Sequence, residues 1–116
     1  MLIFKIVHAV EWAGVGDFYA GSAKDRADGF LHFSTAEQLI GTLARYYVDA
    51  HDLLLVAVDA EALGPALKYE PSRDGALFPH LHGTLPRSTV RWARRIDRDE
   101  LGRFRLPNLD AHGECA

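Results

Sequence analysis

An α+β domain is what this sequence predicts: a curved, mostly antiparallel, split β-sheet with one main helix packed on it. Three observations carry the prediction. Short apolar, β-rich runs recur along the chain, with "LIFKIV" at residues 2–7 and "LLLVAVDA" at 53–60 the clearest. Only residues 35–49 hold a helix-period stripe of any length, in Leu39, Ile40, Leu43 and Tyr47. Strands outnumber helices, and the helices fall early.

In chain order, "LIFKIV" reads as a buried strand. "AVEWAG" reads as a short helix ending near Gly14 or Gly16, and "DFYAGS" as a short strand closing in a turn. "KDRADG" is polar with a glycine and reads as a loop. "FLHFS" is a second short strand. The main helix begins with a capping box, Ser34 with Glu37 or Thr35 with Gln38, in which side-chain oxygens satisfy orphan N–H groups. "LLLVAVDA" is a continuous apolar run of strand length, as expected for a central strand buried on both faces. "EALG" is a helical turn closed by Gly64 and Pro65, "ALKYEP" at 66–71 a strand, and "SRDGA" a turn whose Asp-Gly supplies a positive φ. "LFPHLHGTLP" reads as irregular, broken by Pro79, Gly83 and Pro86. "TVRWARRI" at 89–96 is a late strand and "FRL" at 104–106 a short edge strand. Residues 1–106 thus form one domain and 107–116 a loose tail.

The 116 residues are 48% hydrophobic and 25% charged, a globular balance that buries a core without disulfides or metals. The net charge of −3 argues against a general nucleic-acid binder. Arg87, Arg91, Arg94, Arg95 and Arg98 read as a solvated edge rather than a phosphate strip. Cys115 is the lone cysteine, next to the chain end. It excludes an intramolecular disulfide, fits a reducing cytoplasm, and is poorly placed to be a nucleophile. The start lacks the marks of a signal peptide, and no apolar run approaches the ~20 residues of a membrane span.

Three polar constellations interrupt this apolar pattern. In "HFST", strand alternation puts His32 and Ser34 on one face, directly before a helix N-terminus whose free N–H groups favour an anion or a ribose. Thr35 adds a second hydroxyl. The bland alternative is that Ser34 only caps and His32 bonds a core carbonyl. In "YEPSR", Tyr69, Glu70 and Arg73 surround a turn. Glu70 there is a turn ion pair with Arg73, a ribose anchor or a general base. In "FPHLHG", His80 and His82 have a spacing that suits a metal in an extended segment, with His32 as third nitrogen. The stronger reading is a loop shaped by Pro79 and Gly83 that presents His80 to a cleft. Trp12, Trp92, Phe30 and Phe33 read as core rather than as a stacking platform.

The three constellations in this order resemble the bacterial family called domain of unknown function 952. The matching stretches are "IFKIV", "FYAGSAKDRADGFLHFST", "LLLVAVDAEALG", "LKYEPSRDGALFPHLHGTLP" and "VRWAR". That family carries no activity to transfer, but its fold is thought similar to that of ADP-ribosyltransferases and RNA 2′-phosphotransferases. The resemblance implies a cleft between two small sheets that takes NAD as a substrate rather than as a resident cofactor. His32 and Ser34 then look like the polar pair that contacts a nicotinamide ribose. Lys5 stands where such enzymes carry His or Arg, and Glu70 or His80 takes the later catalytic position. One departure is His82, where Tyr is expected.

The sequence therefore points to a small nucleotide or phosphorylated ligand, with no membrane or nucleic-acid partner and no oligomeric state implied. In the transferase reading, His32, Glu70 and His80 are catalytic, and Lys5, Ser34, Thr35, Tyr69, Arg73 and His82 bind ligand. The alternatives are a non-catalytic binding module using the same cleft, and a small metal enzyme using His32, His80 and His82.

Overall fold

The structure, a computed structural model, describes residues 1–72 and 75–109. Arg73, His112 and Cys115 therefore lie outside the described residues. The fold is α+β, and every strand pairing is antiparallel. Strand β1 (Leu2–His8) leads into helix α1 (Ala9–Ala13), closed at Gly14, then strand β2 (Phe18–Tyr19). Helix α2 (Ala23–Asp28), strand β3 (Leu31–His32), a 3-10 turn at Ala36–Gln38 and helix α3 (Leu39–Tyr46) follow. Strands β4 (Leu53–Asp59), β5 (Leu67–Pro71), β6 (Leu77–Leu81), β7 (Leu85–Pro86), β8 (Val90–Arg98) and β9 (Phe104–Arg105) complete the described chain.

The strands form three sheets, ordered β1-β4-β8-β9, β2-β7 and β3-β6-β5. Strand β4 is central, with β1 on one side and β8 on the other. Its alternation serves two cores. Val56 and Val58 face a cluster with Ile3, Val7, Trp12 and Leu85, while Leu53, Leu55 and Ala57 face one with Phe4, Ile6, Leu39 and Leu43. Each fully buried aliphatic side chain here contributes about 1.5–3 kcal/mol. Strand alternation also puts Lys5 on the same face as Ile3 and Val7, so a lysine points into an apolar core.

Two segments depart from the sequence reading. Residues 24–29, expected to be a loop, belong instead to α2 and its Gly29 cap. Ser22 Oγ accepts Asp25 N–H at 3.1 Å, Asp25 Oδ2 accepts Ser22 N–H at 2.9 Å, and Gly29 ends the helix at φ 86°. This capping box satisfies the orphan donors that a polar hexapeptide otherwise leaves to water.

Residues 77–81, expected to be irregular, form β6, paired on both sides. Pro79 is tolerated because in an antiparallel strand a residue's N–H and C=O point to the same neighbour. The Pro79 carbonyl accepts Phe33 N–H at 3.0 Å, one residue past the end of β3. The missing N–H therefore falls where that ladder has stopped, and pairing to β5 is unaffected.

The main helix is also shorter than residues 35–49. Gln38 supplies the return arm of the capping box, its Oε1 accepting Thr35 N–H at 3.0 Å, and regular α-helix runs only to Tyr46. The next carbonyls belong to Arg98, whose guanidinium donates to Tyr47, Val48 and Ala50 at 3.4, 2.7 and 2.8 Å. Arg98 thus leaves the solvated edge it was assigned to, and Arg94 lies 4.1 Å over the Trp92 ring. At the other end, Leu106 and Leu109 pack against the second core. Among the described residues, no helix is long and apolar enough to cross a membrane.

Candidate functional site

The outer edge of β1 meets the chain just after β3. Phe4 and Ser34 exchange backbone hydrogen bonds of 2.9 and 2.8 Å, an isolated bridge that, among the described residues, joins the large sheet to the β3-β6-β5 sheet. Beside this junction lies a cleft of about 280 Å³, with α2 and α3 contributing its other walls. Lys5, His32, Ser34 and His80 all line it. Thr35 sits at the start of the 3-10 turn and Tyr69 is exposed; neither lines the cleft. Tyr69 pairs with Pro79, and alternation turns it away from the face that carries Glu70 and His80.

The floor is a buried ion pair. Lys5 Nζ lies 2.7 Å from Asp25 Oδ2 and donates to the His32 carbonyl at 3.0 Å. Burial pushes the Lys5 ammonium below its ordinary pKa, opposed by the Asp25 charge. Burial alone raises Asp25. The hydrogen bond from His32 and the charge of Lys5 outweigh it and hold the carboxyl well below the usual range. His32 itself is bracketed by carboxylates: Nδ1 is 2.6 Å from Asp25 Oδ1, and Nε2 is 3.0 Å from Asp28 Oδ2. A carboxylate only accepts, so each ring nitrogen that carries a proton has an acid to donate to. The core carbonyl expected for a structural His32 is thus replaced by two acids from α2.

Ser34 and Thr42 form a directed pair. The Thr42 hydroxyl donates to the Gln38 carbonyl at 3.1 Å, so across the 3.1 Å gap Ser34 is the donor and Thr42 the acceptor. The lone pairs of Ser34 Oγ stay available to the cleft it lines.

Glu70 and His82 do not line the cleft; they reach it through His80, with Glu70 Oε1 accepting from His80 Nδ1 at 2.8 Å and from His82 Nε2 at 2.8 Å. These two bonds, His82 first, hold the Glu70 carboxyl below its usual range. Strand register explains the set: His80 lies opposite Lys68, diagonal to Glu70 on the same face of β5 and β6. With Nδ1–H given to Glu70, the other nitrogen of His80 is the basic one. His80 is buried and lines the cleft, and no buried side-chain nitrogen or oxygen among the described residues lacks a partner, so Nε2 is not sealed unpaired in the core. An imidazole oriented through one nitrogen by a carboxylate, with the other bare, has the geometry of a general base.

Phe30 stands among the three imidazoles, stacked on His80 at 4.1 Å and 4.7 and 5.2 Å from His32 and His82. This corrects its assignment to the core; Phe33, in contrast, is buried. It also argues against a zinc held by His32, His80 and His82. Their engaged nitrogens point to Asp25, Asp28 and Glu70, and a phenyl ring occupies the space between them. Among the described residues, no three His, Cys, Asp or Glu side chains are placed to hold a metal ion.

Sequence reasoning missed Asp25 and Asp28, because their segment was read as a loop. The Ser22-x-x-Asp25 box and the four-residue step from Asp28 to His32 were the available signals. Tyr46 and Tyr47, also cleft-lining, carried no signal beyond the helix stripe.

Comparison with known proteins agrees with the whole-chain pattern. Two crystal structures of protein CC0527 from Caulobacter crescentus, one of them a double mutant, are each 42% identical over 91% of this chain and 95% of theirs, with TM-scores of 0.86 and 0.85. A solution structure of CC0527 is 44% identical over 88% of this chain and 90% of its own, with a TM-score of 0.77. No curated protein matches. The family model described as "Protein of unknown function (DUF952)" matches residues 6–93, and the chain belongs to that family.

Proposed function

We propose that the cleft binds an NAD- or ADP-ribose-type ligand and that His80 accepts a proton from it. The observation that carries this reading is the Glu70–His80 pair at 2.8 Å, which leaves Nε2 as the free nitrogen of an imidazole that lines the cleft. Ser34 offers a hydroxyl acceptor, Lys5 brings a buried cation that Asp25 balances, and His32 sits between Asp25 and Asp28. Two sheets joined by the Phe4–Ser34 bridge, with a cleft beside it, also fit the ADP-ribosyltransferase-like fold implied by the family resemblance. That likeness is an analogy of fold, and the function rests on the site.

A specific observation favours a second reading, a binding module without turnover. Departure of a group from a ribose builds positive charge that a nearby carboxylate stabilises. Among the described residues the cleft-lining carboxylates are Asp25 and Asp28, and both are already engaged, by Lys5, His32 and Lys24.

The test is a ligand-observed NMR titration of NAD, ADP-ribose and a 2′-phosphorylated nucleotide against wild type and His32→Ala. The proposal predicts saturable binding that the substitution weakens at least tenfold. Turnover of the bound ligand by wild type, lost in Glu70→Gln with binding retained, supports the enzyme. Binding without turnover supports the module. No binding of any of the three overturns both.

A further inference from the structure

His82 sits outside the cleft lining, yet shares a Glu70 oxygen with His80. We infer that His82 is a positioning residue: by donating to Glu70 Oε1 it fixes the carboxylate, so that His80 keeps its proton on Nδ1 and offers a bare Nε2 to the cleft. The inference rests on the reading of His80 as the proton acceptor, and extends it to a residue that does not touch the ligand.

Glu70 needs such a brace. It lies near the end of β5 with its side chain about a third exposed (36%), free to turn toward water or toward Lys68, two residues back on the same face. His82 meets it from a fixed backbone. Its N–H donates to the Ala66 carbonyl at 2.9 Å, which carries the β5–β6 pairing one residue past Leu81. Alternation then keeps His82 on the face of His80, and Phe30 touches both rings from the other side. A carboxylate donates nothing, so both imidazoles must present N–H to the one oxygen, and the His80 tautomer is set by where that oxygen stands.

A purely structural His82 predicts something different. The ring is one-third exposed, and its loss removes little from either core. Truncation would then change the melting temperature slightly and leave the His80 tautomer alone.

The experiment is histidine side-chain 15N NMR on the full chain, at a pH where the rings are neutral. In wild type the Nδ1–H tautomer of His80 predominates. His82→Phe keeps a ring but removes the donor, and the His80 population shifts toward Nε2–H. His82→Gln restores an N–H donor and returns the wild-type pattern. Glu70→Ala, which removes the acceptor, is the control for the underlying pair and displaces the tautomer by itself. An unchanged His80 tautomer in His82→Phe, with Glu70→Ala shifted, overturns the role of His82 and leaves the Glu70–His80 pair standing. An unchanged tautomer in Glu70→Ala as well overturns both.

Discussion

Asp25 grips His32 twice: one carboxylate oxygen takes the ring Nδ1 at 2.6 Å and the backbone N–H at 3.1 Å. The other oxygen holds Lys5 at 2.7 Å and Ser22 N–H at 2.9 Å. A single buried acid therefore joins β1, α2 and β3, and the cleft is built around it.

Removing that charge strands the Lys5 ammonium in an apolar core. Asp25→Asn is expected to destabilise the protein by about 3–5 kcal/mol, the usual result of breaking a buried pair from one side. Lys5→Met combined with Asp25→Asn recovers part of the loss, because no buried charge then lacks a partner. Denaturant melts of the three variants check this.

The same pair sets an acid limit. The folded Asp25 carboxyl is held well below the ordinary range, so near pH ~4 the unfolded chain takes up a proton that the folded chain refuses. Its contribution is complete above that pH and is lost as pH falls toward the folded value. Urea midpoints measured from about pH 6 to 3 should fall less steeply in Asp25→Asn than in wild type. Equal slopes contradict the assignment.

Gly21 shows how closely the backbone approaches this acid. At φ +101°, an added Cβ would stand 2.7 Å from Asp25 Cβ and 3.1 Å from its Oδ2. Gly29, at φ +86°, has open space around it. Gly29→Ala should cost about 1–2 kcal/mol for the left-handed backbone alone. Gly21→Ala should cost clearly more and disturb the Lys5 and His32 signals, which Gly29→Ala leaves in place.

Arg98 holds α3 from the far side. It donates to four carbonyls, those of Tyr47, Val48, Ala50 and Gly102, and lies 4.0 Å over Phe104. Arg98→Ala is expected to lose about 2 kcal/mol, and Arg98→Lys to recover little, since an ammonium cannot reproduce a planar fork. Thermal melts of both variants decide it.

Much of the fold was legible because its signals are local. The apolar run 53–60 has too few polar positions for a one-sided strand, and β4 is buried on both faces. Asp-Gly marked the turn where Gly75 has φ +77°. What escaped depended on partners outside the run being read. Pro79 reads as a breaker until Phe33 is known to end the neighbouring ladder. "KDRADG" reads as a loop until Ser22 is paired with Asp25. The site followed the same division. His32, Ser34 and His80 stood out as polar residues in apolar runs, and Lys5 through the resemblance. Asp25 and Asp28 looked like ordinary surface acids. His82 drew notice for its spacing to His80, but its partner proved to be Glu70.

The most direct measurement is backbone and histidine chemical-shift mapping of the labelled protein on addition of ADP-ribose. The account predicts saturable changes centred on Lys5, Phe30, Ser34 and His80, weakened in His32→Ala, a variant that should lose only about 1–3 kcal/mol of stability. Saturable changes confined to a surface away from the Phe4–Ser34 junction, or no changes at all, would contradict it.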